Sequence, residues 1–202
     1  MPRNKELNQK VKDERREQIL STALMLFAKK GLAATRITDI STETGISQGL
    51  IYHYYKSKEE IFTWLINSAM EKMNDAARNL EQLPVPAGEK IKYAVDELLK
   101  GIDKNESTAR YYFLITQTAL SEAVPYEARE IVRTQNKVKY EIMGRIFTAG
   151  QKEGTVRKYD VNEMVTCFFS SVNGLALNKA IYGTHFKMPD KNIFLSMFLQ
   201  ES

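Results

Sequence analysis

The chain has few of the residues from which disulfides and metal sites are built. Its 202 residues include one cysteine, Cys167, and two histidines, His53 and His185. A single cysteine cannot form an intrachain disulfide, and two histidines so far apart leave little to hold zinc. The phosphate-binding G-x-x-x-x-G-K-[ST] loop and the G-x-S-x-G and H-E-x-x-H motifs are also missing. We therefore expect no metal, no cofactor and no enzyme.

Long apolar runs and strand patterns are also scarce. No run approaches the ~18–20 apolar residues of a membrane span, and the start, MPRNKELNQK, lacks the apolar core of a signal peptide. We expect a cytoplasmic protein with no membrane partner. Alternating apolar and polar residues are hard to find, and the prolines fall between segments with helical periodicity. The fold class is predicted to be all-α; the five prolines are Pro2, Pro84, Pro86, Pro125 and Pro189.

About nine helices are predicted. A stripe of Ile19, Ala23 and Phe27 marks a helix over 13–30, which Gly31 ends. Short helices over 37–44 and from Ser47 to near Tyr55 flank Gly45, which is the layout of a helix-turn-helix. The capping box SKEE then begins a long helix. The predicted segments are a flexible basic arm (1–12), a three-helix helix-turn-helix domain (13–56), a connecting helix (57–83) and a C-terminal domain (84–202), with helices near 88–103, 107–121, 126–152, 160–182 and 190–200.

The third helix has one apolar face and one polar, aromatic face. Ile51 and Tyr55 share the face that should pack on the first two helices, whereas Gln48, Gly49, Tyr52 and His53 lie on the outer side. Tyrosine and histidine donate well to phosphate oxygens, and glutamine can reach base edges in the major groove. Residues 1–60 also carry 11 basic against 8 acidic residues. This face is predicted to contact duplex DNA.

The stretch GLAATRITDISTETGISQGLIYHYYKSKEEIF (31–62) closely resembles the DNA-binding signature of TetR-family transcriptional regulators. The resemblance covers about residues 14–65. It implies a homodimer whose two recognition helices enter successive major grooves of a palindromic operator, with half-sites ~34–36 Å apart. The resemblance also implies, by default, that the protein represses transcription and that a small-molecule effector controls it. The DNA-contacting positions that it implies, together with Arg36 as a departure from the family pattern, are Thr35, Arg36, Ser47, Gln48, Gly49, Tyr52, His53, Tyr54 and Lys58.

Tyr55 is a second departure, because phenylalanine is commoner there, so its hydroxyl needs a partner if the ring is buried. Arg36 stands where a small capping residue is usual, which leaves Thr35 as the expected cap of the second helix. The arm is interpreted as a disordered tail or, alternatively, as a minor-groove arm.

The C-terminal domain is expected to bind the effector and to dimerise. An apolar cavity for a largely neutral effector is predicted to be walled by Tyr112, Phe113, Gln117, Phe147, Phe168, Phe169 and Asn173; the alternative is that these side chains fill the core. The apolar helices 160–182 and 190–200 are predicted to form the dimer face. Its residues are Ser170, Gly174, Leu177, Ile181, Ile193, Phe194, Met197 and Phe198.

Two other functions stay open at this point. The same fold could serve an architectural or cell-cycle DNA-binding protein without an inducer, which a solid core in place of the cavity would favour. An α-helical enzyme or ligand carrier would need converging acid, base or nucleophilic residues, and the sequence shows no such cluster.

Overall fold

The computed structural model describes the backbone of residues 2–200 and the side chains of Leu7 and residues 9–200. Within that range the fold is a bundle of nine α-helices, which confirms the all-α prediction. In chain order they are α1 (Pro2–Ala34), α2 (Ile37–Thr44), α3 (Gln48–Tyr54), α4 (Lys58–Gln82), α5 (Ala87–Lys104), α6 (Glu106–Leu120), α7 (Tyr126–Glu153), α8 (Val161–Tyr182) and α9 (Lys191–Ser196).

The ends of the first helices lie where the sequence places them. Gly31 has φ 78° and ψ 163°, a conformation that side chains disfavour, and it interrupts α1. Gly45, at φ 70°, ends α2 in a left-handed turn. Ser57 caps α4 by accepting from the Glu60 amide at 3.1 Å. The Glu60 carboxylate returns to the Lys56 amide at 2.5 Å rather than to Ser57.

The first twelve residues differ from the expected flexible arm, because α1 already begins at Pro2. No glycine or proline follows Pro2 before Gly31. Side-chain pairs one turn apart support the exposed part, with Gln9 donating to Asp13 at 3.1 Å and Lys10 lying 3.9 Å from Glu14. Residue 1 lies outside the described residues.

Two apolar clusters form the core, and the helices are shared between them. The N-terminal cluster joins α1 to α3 with the first half of α4, and it also contains Leu114 of α6 and Ala128 and Val132 of α7. The C-terminal cluster joins the end of α4 to the other helices. The predicted domains therefore meet over a packed surface, and α4 is one of three helices that connect them.

The last helix, α9, is shorter than predicted. Helix α9 stops at Ser196, after which the chain turns back along the α7–α8 connection. The Arg157 amide donates to the Phe198 carbonyl at 2.9 Å, and the Gln200 amide donates to the Thr155 carbonyl at 3.0 Å. These bonds use backbone groups that a longer helix would have paired internally.

Candidate nucleic-acid interface and effector domain

Helix α3 is held by its apolar face. Ile51 has 0% and Tyr55 has 3% of its surface exposed, and both belong to the N-terminal cluster. The Tyr55 hydroxyl accepts from Arg16 Nε at 3.1 Å, and the Arg16 guanidinium lies 4.7 Å from the centre of the Trp64 ring. Burial raises the pKa of Tyr55. Arg16 of α1 therefore supplies the partner that the buried Tyr55 hydroxyl needs, although no sequence pattern pointed to this residue.

The opposite face of α3 is open. Ser47 caps the helix by accepting from the Leu50 amide at 3.3 Å, and Gln48 and Gly49 follow it on the surface. A Cβ added at Gly49 would meet no atom within 4 Å. Tyr52 is 52% exposed, and His53 is exposed beside it. Tyr54 is half-buried, with its ring edge-on to His53 at 5.8 Å.

Thr35 is placed differently from its expected role. Its side chain is fully buried, and its hydroxyl donates to the Gly31 carbonyl at 2.8 Å. A buried hydroxyl cannot reach a phosphate, so the predicted DNA contact of the Thr35 side chain is wrong. Thr35 does not cap α2 either. The Arg36 amide donates to the Asp39 carboxylate at 3.0 Å, which leaves the exposed Arg36 side chain free of a capping role.

Lys58 is the second predicted DNA contact whose position differs from its expected role. Its ammonium donates to three backbone carbonyls, those of Leu32 at 2.8 Å, Ala33 at 3.1 Å and Thr35 at 2.8 Å. These bonds use all three of its N–H groups. The carbonyls lie at the end of α1, where a cation also complements the helix dipole. Lys58 fastens α4 to α1 here, in place of the predicted phosphate ion pair.

The predicted effector residues are not gathered around one cavity. Phe147 and Phe168 pack edge to face at 6.0 Å in the centre of the C-terminal cluster, where each also contacts Phe198. Phe113 packs instead against the N-terminal cluster, and Asn173 is exposed on α8. Tyr112 and Phe169 are buried in the C-terminal cluster, and Gln117 is half-buried.

The predicted dimer residues divide into an exposed and a buried group. Phe194 and Phe198 are 5% and 2% exposed and complete the aromatic core, so the predicted exposure of both side chains is wrong, and only Phe194 still contributes to a surface groove. The other six remain at least partly on the surface. They are Ser170, Gly174, Leu177, Ile181, Ile193 and Met197. Three of them, Gly174, Ile193 and Met197, line an apolar groove of about 320 Å³ together with Ser171, Leu175, Pro189 and Phe194.

A half-buried lysine and a buried asparagine lie between α4 and α7, and neither was predicted from the sequence. Lys139 lies on α7 with its ammonium 3.8 Å from the Met73 sulfur, and Asn74 of α4 is 3% exposed. Both positions can be found by periodicity. Lys139 comes three and seven residues before the buried Ile142 and Ile146, and Asn74 comes four after the buried Met70.

The described residues show neither a cluster of three or more potential metal ligands nor a helix of the length and hydropathy needed to cross a bilayer.

Comparison with known proteins assigns the N-terminal helices to a family of DNA-binding domains. Residues 19–63 match the family model of bacterial regulatory proteins of the tetR family. The chain is 41% identical over 76 residues to YerO, an HTH-type transcriptional regulator of Bacillus subtilis, a match that covers 36% of this chain and 26% of YerO. It is 26% identical over 146 residues to the HTH-type transcriptional repressor KstR2 of Rhodococcus jostii, covering 72% of this chain and 70% of KstR2.

Solved structures extend the likeness to the whole fold. The MbdR regulator from Azoarcus sp. CIB superposes with a TM-score of 0.76 at 19% identity, covering 90% of this chain and 95% of MbdR. A complex of SmeT with triclosan superposes with a TM-score of 0.72 at 13% identity, covering 93% and 92% of the two chains. These structures share the fold, and the matched helix-turn-helix with the curated relatives identifies the chain as a transcriptional regulator of the TetR family.

Proposed function

We propose that this regulator is a homodimeric repressor that binds a palindromic operator through α3 and is released by a small, mostly apolar effector. The observation that carries the proposal is the open face of α3. Gln48, Gly49, Tyr52 and His53 point to solvent from a helix whose other face is anchored by buried Ile51. Such a helix can enter a major groove without a change in the protein core.

Each exposed residue has a separate role in the proposed complex. Gln48 reads a base edge, because its amide both donates and accepts. Gly49 lets the DNA backbone approach where a side chain would stand. Tyr52 and His53, with Tyr54 at the rim, donate to phosphates and set the register. Arg36, exposed at the start of α2, adds a further phosphate contact.

Dimerisation is proposed through α8 and α9. Ile181 is 58%, Ile193 65% and Met197 43% exposed, and Ile193 and Met197 line the apolar groove. A surface of this kind is costly in a monomer, and pairing with a second copy across a twofold axis would bury it. The dimer would also hold the two α3 helices at the fixed separation that a palindrome requires.

The effector is proposed to act by a population shift. Ligand binding in the C-terminal domain must favour a conformer whose two α3 helices are wrongly spaced for the operator. Helices α4, α6 and α7 carry the change, because each contributes to both apolar clusters. The SmeT–triclosan complex supports a small molecule as the signal, since it shows that this fold accommodates one.

The test is selection of genomic fragments by purified protein at fixed physiological salt with excess competitor DNA. Recovery of one short palindrome, bound by two chains, would support the proposal. Sequence-blind binding would instead favour an architectural role, with which the closed packing around Phe147 and Phe168 is also compatible. If no candidate effector changes the affinity for the operator at a saturating concentration, the effector part of the proposal would be wrong.

A further inference from the structure

The first turns of α1 project beyond the packed part of the N-terminal domain. Residues 2–18, which we call the α1 extension, precede Ile19, the first buried residue among the described side chains. They also precede the segment 19–63 that matches the family. At about 1.5 Å per residue, the α1 extension is a helix roughly 25 Å long. It therefore lies outside the segment that the chain shares with its relatives.

The α1 extension carries its charges on two different faces. Ile19 is 0% exposed and marks the face of α1 that packs on the N-terminal cluster. Lys12 and Arg15 come seven and four residues before Ile19, so they continue that face, whereas Lys10 comes nine residues before it and lies on the opposite side. The acidic residues among 9–18 all lie about 120° or more around the helix from Ile19. They are Asp13, Glu14 and Glu17. Lys12 and Arg15 thus form a basic face with no acidic residue on it.

The cations of the two faces also differ in their partners. The Lys10 ammonium lies 3.9 Å from the Glu14 carboxylate, one turn away. Lys12 and Arg15 are exposed, and no ion pair or side-chain hydrogen bond among the described residues includes either of them. Arg16 beside them is already used, because it donates to the Tyr55 hydroxyl. The donors of the basic face are therefore available to an anion outside the chain.

The α1 extension starts directly beside the helix-turn-helix. The Gln18 side-chain amide donates to the Thr44 carbonyl at 3.0 Å, at the end of α2 and one residue before the turn into α3. Arg16 contacts Tyr55 at the other end of α3. From Gln18, Arg15 lies about 5 Å and Lys12 about 9 Å further along the axis of α1. The basic face is turned to the side on which α2 and α3 pack.

A duplex bound by α3 brings phosphates close to this level. An α-helix with its side chains is about 10–12 Å across, and the major groove is about 8.5 Å deep. When the outer face of α3 lies on the floor of the groove, the phosphates at the groove rims stand about level with the inner side of α3, which α1 covers. Lysine and arginine side chains are long and bind phosphate oxygens well. The basic face therefore matches the operator backbone in both charge and height.

We propose that Lys12 and Arg15 bind operator phosphates beside α3 and so set the position of the recognition helix in its groove. Lys10, on the opposite face of the α1 extension, takes no part. Because phosphates carry no sequence information, these contacts add affinity and register without base preference. This inference rests on the proposed function, and it adds to that function a DNA contact from outside the helix-turn-helix.

The experiment uses the full chain and single substitutions that remove one charge each. Lys12→Gln and Arg15→Gln remove the basic face. Lys10→Gln is the matched control, since it removes the same charge two residues from Lys12 on the opposite face, and Lys12→Arg keeps the charge. Affinity is measured by fluorescence anisotropy over a series of salt concentrations. The two probes are the palindrome recovered by fragment selection and an unrelated duplex of equal length.

We expect Lys12→Gln and Arg15→Gln each to reduce the slope of log affinity against log salt by about 0.9 per bound chain. At ~0.15 M salt this corresponds to binding weakened about 5-fold per bound chain. Lys10→Gln and Lys12→Arg should keep the wild-type slope and affinity. Base preferences should be the same for all five proteins, because only phosphate contacts change.

An unchanged slope in both Lys12→Gln and Arg15→Gln would overturn the inference. An equal reduction by Lys10→Gln would also overturn it, because the effect would then come from diffuse attraction rather than from contacts of one face. All variants should melt at the wild-type temperature, since the changed side chains are exposed; a lower melting temperature of Lys12→Gln and Arg15→Gln would assign them a structural role instead.

Failure of the proposed function gives a different result. Wild-type binding without sequence preference would contradict the palindrome-binding repressor, while the slopes on the unrelated duplex would still decide the role of the basic face, because phosphate contacts do not depend on sequence. Absence of any DNA binding by the wild type would contradict both.

Discussion

Replacing Lys58 by methionine tests whether this lysine fastens α4 to α1 or contacts DNA. The change keeps most of the side-chain length and removes three N–H donors, which the carbonyls of Leu32, Ala33 and Thr35 accept at 2.8–3.1 Å. Those carbonyls would then have only water as a hydrogen-bond donor in place of Lys58. Lys56, exposed two residues earlier, gives the matched control Lys56→Met.

The magnitude follows from the partial burial of this contact. Hydrogen bonds to a charged group contribute about 1.5–3 kcal/mol, and we count the three bonds as one such interaction because the ammonium is partly solvated. A cation at a helix C-terminus adds about 0.3–1 kcal/mol. We therefore expect Lys58→Met to lower the free energy of unfolding by about 2–4 kcal/mol, which is a fall of about 4–16 °C in melting temperature for a chain of this size.

The assay is thermal unfolding followed by circular dichroism at equal protein concentrations, and Lys56→Met should change the melting temperature little. Operator affinity is then measured against salt at a temperature where all proteins are folded. A phosphate contact by Lys58 would reduce the slope of log affinity against log salt by about 0.9 upon substitution. An unchanged melting temperature together with a reduced slope would refute the role derived from the structure and restore the phosphate ion pair.

Four further outcomes are expected. Gln48→Ala should cost about 1–3 kcal/mol of operator binding and relax preference at one base pair, and a uniform loss over all sequences in a binding-site selection would reassign it to the DNA backbone. Gly49→Ala should raise stability by about 0.5–1 kcal/mol, since its Cβ meets no atom within 4 Å, yet weaken operator binding in a gel-shift titration; unchanged affinity would remove Gly49 from the interface. Tyr55→Phe should lower stability by about 1 kcal/mol in urea unfolding, because Arg16 Nε loses its acceptor, and a neutral result would make that hydrogen bond irrelevant. Lys139 has its pKa lowered from 10.5 to about 8 by burial, so the unfolded chain binds more protons between those values; wild-type stability should therefore rise from pH 8 towards pH 10 relative to Lys139→Met, and parallel pH profiles would contradict the burial.

The local elements of the fold follow from the order of residues along the chain. Helix ends at Gly31, Gly45 and Ser57 depend on backbone conformation and capping within a few residues, so they could be predicted from the chain. The two faces of α3 follow from its helical period, which places Ile51 inside and Tyr52 outside. The family resemblance rests on this same local segment, which is why it could be found before the structure was known.

The pairing of residues that are distant in the chain depends instead on how the helices pack. Lys58 is a polar residue in a DNA-binding motif, and its carbonyl partners at the end of α1 lie 23–26 residues earlier in the chain, so periodicity could not show that its donors are already used. Phe194 and Phe198 have the same helical spacing as a dimer face, but the return of the chain after α9 turns them into the core. Whether Lys139 has a counter-charge depends on which residues α4 and α8 bring to it, and that is a property of packing rather than of the order of residues along α7.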